Sequence, residues 1–160
     1  MSTNLHFEQK LFHKYLGKSF FLLSFQNYNL TGRRLLMRCL NVLLVDDDSI
    51  VLKVQGSLVS RMGHVVTTFD CPLDALDYLS MHKNAVDLVL SDFRMPKMNG
   101  MEFTREVRQL RNDMPIAILT GFSGEIDPDE AEELNIEVFS KPISLPDLTK
   151  FIEDSQAGSS

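Results

Sequence analysis

From residue 41 onward, short continuous apolar runs alternate with longer stretches in which apolar residues recur at helical spacing. The run "NVLLVDDD" is uninterrupted and ends in acids, the signature of a strand buried on both faces. "SIVLKVQGSLVSRMG" places apolar residues at 50, 51, 54, 58, 59 and 62, a helical period, with Ser49 as a candidate N-cap and Gly63 as C′. "HVVTTF" predicts a strand, "CPLDALDYLSMH" a helix with Pro72 near its start, and "VDLVLS" a central strand ending at Asp92. "GMEFTREVRQLRN" carries apolar residues at 101, 103, 107 and 110 and predicts a helix, followed by a strand in "MPIAILT". "DPDEAEELN" opens with Asp127 as cap, Pro128 at the first helical position and Glu130 three after the cap, a capping-box arrangement. "IEVFS" then predicts a strand and "SLPDLTKFIEDS" the last helix. Five strands and five helices in strict alternation imply an α/β protein: a doubly wound, five-stranded parallel sheet with helices on both faces and right-handed crossovers.

In such a sheet the functional groups gather at the carboxyl ends of the strands. Those ends carry Asp46, Asp47 and Asp48 on the first strand, Asp92 on the third, Thr120 on the fourth, and Ser140 and Lys141 on the fifth. Neighbouring strands lie about 5 Å apart, so these side chains can converge on one pocket. Several carboxylates in one pocket repel each other unless a cation intervenes, and an oxygen-rich set suits Mg²⁺. One lysine, Lys141, cannot balance that many acids. An acid cluster, a lone carboxylate, a hydroxyl and an ammonium together are what is needed to move a phosphoryl group onto the lone carboxylate. Asp92 is then the nucleophile.

Composition changes this picture little. Hydrophobic residues make up 44% and charged residues 24% of the chain, ordinary for a globular protein. Two cysteines, Cys39 and Cys71, are too few for a disulfide scaffold, which points to a reduced, cytoplasmic setting. A net charge of −6 argues against direct nucleic-acid binding. The charge is uneven, because residues 1–38 hold six Lys or Arg against one acid, Glu8. The expected organisation is a basic N-terminal extension over 1–38, disordered or not native, a domain over 39–154, and a flexible tail over 155–160. The apolar run "SFFLLSF" is far short of the roughly 20 residues a membrane span needs, so no span is expected. Met37 is an alternative start, since "MRCLNVLLVDDD" runs straight into the first strand.

The pieces "VLLVDDDS", "LVLSDFRMPKMNG", "PIAILTG" and "FSKPI", in this order and spacing, resemble the receiver domain of two-component response regulators, with its flavodoxin-like fold. The resemblance covers residues 41 to about 154. It implies that Asp92 accepts a phosphoryl group and that Asp46 and Asp47 supply the acidic metal pocket for Mg²⁺. It further implies that the Arg94 backbone carbonyl, with Asp92, completes the metal ligands, and that Thr120 and Lys141 bond phosphoryl oxygens. The Lys-Pro bond is typically cis in this family. Asp48 lies where the family varies, and capping the following helix is the plainer role for it. In many receivers an aromatic residue three before the lysine turns inward on phosphorylation. Here that position is Val138, with Phe139 beside it. Bulky Arg94 and Phe122 would flank the approach of water to a phosphorylated Asp92, which implies slow loss of phosphate.

The reading is a stand-alone receiver that acts through a histidine kinase or histidine phosphotransfer protein and a downstream protein target. It catalyses only its own phosphorylation and dephosphorylation and is not otherwise an enzyme. "TGFSGEID" looks most like receivers of hybrid sensor kinases, which favours phosphorelay. One rival is a receiver-like adaptor that no longer uses phosphate. A more distant one is a haloacid-dehalogenase-like phosphatase, whose D-x-D motif could be forced onto "DDD" but would leave Asp92, Thr120 and Lys141 idle. His6, His13, His64 and His82 show no ligand spacing and are expected at the surface or at element edges. Met95, Met98 and Met101 are expected to pack in the loop and core.

Overall fold

The computed structural model describes residues 38–122 and 124–157. The predicted extension, apart from Arg38, and the tail from residue 158 lie outside the described residues. Ten elements alternate along the chain: β1 (Asn41–Val45), α1 (Ser49–Arg61), β2 (Val65–Phe69), α2 (Pro72–His82), β3 (Leu88–Asp92), α3 (Gly100–Leu110), β4 (Ile116–Thr120), α4 (Pro128–Glu133), β5 (Glu137–Ser140) and α5 (Leu145–Ala157). All four strand pairings are parallel, in the order β2-β1-β3-β4-β5. The first crossovers run to opposite sides of β1, so the switch point lies between β1 and β3, whose carboxyl ends carry Asp46 and Asp92.

Strand alternation assigns the two layers. Val42, Leu44, Leu88, Leu90, Ala117 and Leu119 face α1 and α5, where Leu58, Val59, Leu148 and Ile152 meet them. Leu43, Val45, Val89 and Ile116 face the opposite layer, packed on Ala75, Leu79, Phe103 and Val107 of α2 and α3. Every residue of β3 and β4 is buried, which is why both read as continuous apolar runs rather than alternating ones.

Local chemistry sets the element ends. Asp48, rather than Ser49, is the N-cap of α1: its carboxylate accepts the backbone N–H groups of Ile50 and Val51. The buried face of α1 is Leu52, Leu58 and Val59, while Ile50 is 47% exposed, so the core-facing stripe is displaced from the predicted one. Gly63 ends α1 at φ +95, the left-handed conformation expected of C′. The α3 start has a capping box that the motif reading passed over: the Asn99 side chain accepts from Met101 and Glu102 N–H, and Glu102 returns a bond to Asn99 N–H. At α4, Asp127 caps through the Asp129 N–H, whereas Glu130 is drawn to an ion pair with Arg105 of α3.

The domain limits differ slightly from expectation. Helix α5 continues to Ala157, three residues past the expected boundary. Arg38 is tied in, its N–H donating to Gln156 Oε1 at 3.0 Å and its guanidinium pairing with Asp87. His64 lies at an element edge, immediately before the edge strand β2. It is nonetheless buried, with Nδ1 accepting the N–H of Leu40, the residue before β1, at 3.3 Å. His82 is exposed and stacked on Tyr78, as expected, while His6 and His13 lie outside the described residues. Met95 and Met101 are buried and Met98 packs against the core.

Candidate functional site

The site is built where β1, β3, β4 and β5 end side by side. Asp46 follows β1 and is 2% exposed. Both its oxygens are engaged: Oδ1 accepts the Asp48 N–H at 2.9 Å and Oδ2 accepts from Lys141 Nζ at 2.5 Å. Asp92, the last residue of β3, is 7% exposed, and its Oδ1 lies 2.6 Å from the same ammonium. Asp47 is exposed, but its carboxylate turns to the others: oxygens of Asp46, Asp47 and Asp92 all lie within 4.8 Å of one another.

Burial raises the carboxyl pKa of Asp46, and the bonds from Lys141 and the Asp48 N–H only partly offset it; the Asp92 charge pushes it further up. For Lys141, burial works against the charged form, yet the bonds to Asp46 and Asp92 outweigh it and its pKa is raised. Lys141 is therefore a fixed cation serving two carboxylates, and Asp46 is the acid that resists ionisation. Three carboxylates against one ammonium leave the cluster short of positive charge, and its donors are all hard oxygens. That set fits a hard divalent cation of the Mg²⁺ kind.

The carboxylate of Asp92 owes its placement to a glycine. A Cβ on Gly100 would come within 2.5 Å of the Asp92 carbonyl oxygen and 3.0 Å of Phe93 Cα. Only glycine lets the start of α3 close onto the end of β3, an approach sealed by the Gly100 N–H bond to the Phe93 carbonyl at 2.8 Å. The intervening loop turns through Lys97 at φ +71 and is anchored by buried Met95. The Lys141–Pro142 peptide that follows β5 is cis.

Thr120 ends β4 and is 3% exposed, so it lies at the strand end where the sequence placed it. Its hydroxyl, however, is engaged in the β4–α4 loop, donating to Glu125 at 2.7 Å and accepting the Phe122 N–H at 3.2 Å. Glu125 is the site residue that sequence reasoning missed. Its carboxyl pKa is held low by the Thr120 hydroxyl and then by Arg94, with which it forms an ion pair. The Arg94 guanidinium also lies over the Phe122 ring, 5.0 Å from its centroid. No motif or periodicity marks Glu125. Only the path of the β4–α4 loop brings it back over Thr120. Val138 faces outward, 38% exposed, while Phe139 turns into the core against Phe151 at 5.9 Å.

Comparison with known proteins agrees with the fold. The family model described as the response regulator receiver domain matches residues 42–153. The chain is 32% identical over 113 residues to the response regulator receiver protein CpdR of Brucella abortus, covering 70% of this chain and 92% of that one. It is 36% identical over 120 residues to the aerobic respiration control sensor protein ArcB of Escherichia coli, covering 71% of this chain but 15% of that protein. Among other curated relatives, it spans only 18% of a putative two-component response regulator of Arabidopsis thaliana and 26% of the transcriptional regulatory protein GlrR of Escherichia coli. Among solved structures, a response regulator receiver domain protein from Clostridium thermocellum superposes with a TM-score of 0.71 at 27% identity, over 75% of this chain and 96% of that one. The chemotaxis protein CheY4 of Vibrio cholerae gives 0.65 at 26% identity, over 74% and 99%.

Proposed function

The chain belongs to the response regulator receiver domain family of two-component signalling, and we propose that it accepts a phosphoryl group on Asp92 from a phosphohistidine. The donor is a histidine kinase or a histidine phosphotransfer protein, and the phosphorylated chain passes its state on by contact with a downstream protein or by phosphorelay. The observation that carries this reading is the position of Asp92: a carboxylate at the end of the central strand, bonded by Lys141 and set against Asp46 and Asp47.

In the proposed transfer an Asp92 oxygen attacks the phosphorus of the donor imidazole phosphate. The new P–O bond forms as the P–N bond breaks, and the electron pair returns to the imidazole nitrogen. Lys141 already bonds Asp92 and is placed to follow the negative charge onto a phosphoryl oxygen. Thr120, on the neighbouring strand, would supply a hydroxyl donor once its bond to Glu125 is given up. Asp46, Asp47, Asp92 and the backbone carbonyl of Arg94 are the proposed ligands of Mg²⁺, which supplies charge neutralisation of the acidic cluster and of the incoming phosphate. The likeness to the sensor protein ArcB supports a phosphorelay setting.

The test is covalent labelling by acetyl phosphate with Mg²⁺. The wild-type chain should acquire one hydroxylamine-sensitive phosphoryl group, and Asp92→Asn should acquire none while keeping its melting temperature. A wild-type chain that takes up no label would favour the phosphate-independent adaptor, and undiminished labelling of Asp92→Asn would displace Asp92 as acceptor.

A further inference from the structure

Thr120 has one hydroxyl proton, and in this structure the Glu125 carboxylate at 2.7 Å takes it in preference to the Phe122 carbonyl at 3.3 Å. The same proton is the one a phosphoryl oxygen on Asp92 would require. The two bonds exclude each other. Glu125 is itself braced: its other oxygen pairs with Arg94, and Arg94 lies over the Phe122 ring. Only 17% of the Glu125 side chain is exposed, while Arg94 and Phe122 stand 67% and 63% exposed above it. The outward route that an inward-turning aromatic would provide is absent here, since Val138 faces solvent and Phe139 is already committed to the core.

We propose that Glu125 is a latch on the phosphorylation site: it holds the Thr120 hydroxyl in the unphosphorylated protein, and its displacement on phosphorylation releases the Arg94–Phe122 pair as the outward signal. The proposal rests on Asp92 being the phosphoacceptor. A phosphoryl group brings close to two negative charges. It both claims the Thr120 proton and repels the Glu125 carboxylate, so each effect drives the latch open. The Arg94 ion pair by itself is a weak brace, being largely exposed, and it follows Glu125 rather than opposing it. By linkage, whatever strengthens the latch weakens phosphorylation, and the reverse. Glu125 is a positioning residue acting through Thr120 and touches no reacting atom.

The test is calorimetric titration of the full chain with beryllofluoride in Mg²⁺, a non-transferable phosphoryl mimic. Glu125→Ala should bind about fivefold tighter than wild type, the low end for coupled sites. In a Thr120→Val background the same change should bring a clearly smaller gain, because only the charge repulsion remains and no proton is contested. Glu125→Gln, which keeps an acceptor oxygen but no charge, should gain less than Glu125→Ala. The Phe122 ring resonances should shift on saturation of the wild type and already sit near that position in free Glu125→Ala. Equal gains with and without the Thr120 hydroxyl, or equal gains for Gln and Ala, would reduce Glu125 to one more negative charge and overturn the latch. Binding by wild type with no gain in Glu125→Ala overturns the latch alone; no binding by wild type removes the phosphoacceptor reading and the latch with it.

Discussion

The Lys141 ammonium sits 2.5 Å from Asp46, a partner 95 residues away in sequence, and it is the same ammonium that reaches Asp92. One cation thus ties the first and third strand ends to the fifth. It offsets part of the penalty that burial puts on the charged form of Asp46.

Replacing that cation gives the first prediction. Lys141→Met leaves Asp46 buried and unpaired, and near neutral pH it should cost about 3 kcal/mol of stability. The folded pKa of Asp46 lies above its ordinary value of 3.8, so the protonated acid is favoured at low pH and the penalty grows as pH rises through the folded pKa. Without Lys141 that pKa moves higher still. The stability gap between variant and wild type should therefore narrow from pH 7.5 to pH 5, measured by urea denaturation. A gap independent of pH would mean that Lys141 acts through its stem packing rather than its charge.

Asp47 separates metal binding from folding. It is exposed and faces the carboxylates of Asp46 and Asp92. Asp47→Ala removes repulsion, so the metal-free melting temperature should hold or rise. A ligand at about a hundred times its Kd stabilises by about 2.7 kcal/mol, and this Mg²⁺-induced gain should shrink sharply in the variant. Thermal scans with Mg²⁺ or with chelator provide the comparison, and an unchanged Mg²⁺ shift would remove Asp47 from the ligand set.

His64 predicts a separate acid sensitivity. Its Nδ1 accepts the Leu40 N–H, so the proton resides on Nε2, which is buried without a hydrogen-bond partner. Protonation would turn Nδ1 into a donor facing another donor. Burial lowers the His64 pKa below its ordinary 6.5. The unfolded chain therefore binds more protons just below pH 6.5, and stability present above that pH is lost as pH falls toward the folded pKa, at up to about 1.4 kcal/mol per pH unit. His64→Asn keeps an acceptor for Leu40 and removes the titration. Its stability between pH 7.5 and 5.5 should fall less steeply than that of wild type; parallel slopes would refute the assignment.

Sequence pattern alone determined the fold class, all ten elements and the placement of Asp46, Asp92, Thr120 and Lys141 at strand ends, because these depend on local periodicity and on the fixed geometry of parallel sheets. The burial of β3 and β4 on both faces was legible for the same reason: a strand covered twice leaves no polar alternation. Tertiary structure decided the rest. Which residues of α1 meet the sheet depended on its docking angle, so Leu52 went in and Ile50 out. His64 was buried by a neighbouring segment that no local pattern reveals. The Thr120 hydroxyl was given to Glu125, five residues further on, by the path of the β4–α4 loop, with no period to read. A hydrogen bond depends on where a loop returns in space, and that return is set by the packing of everything around it.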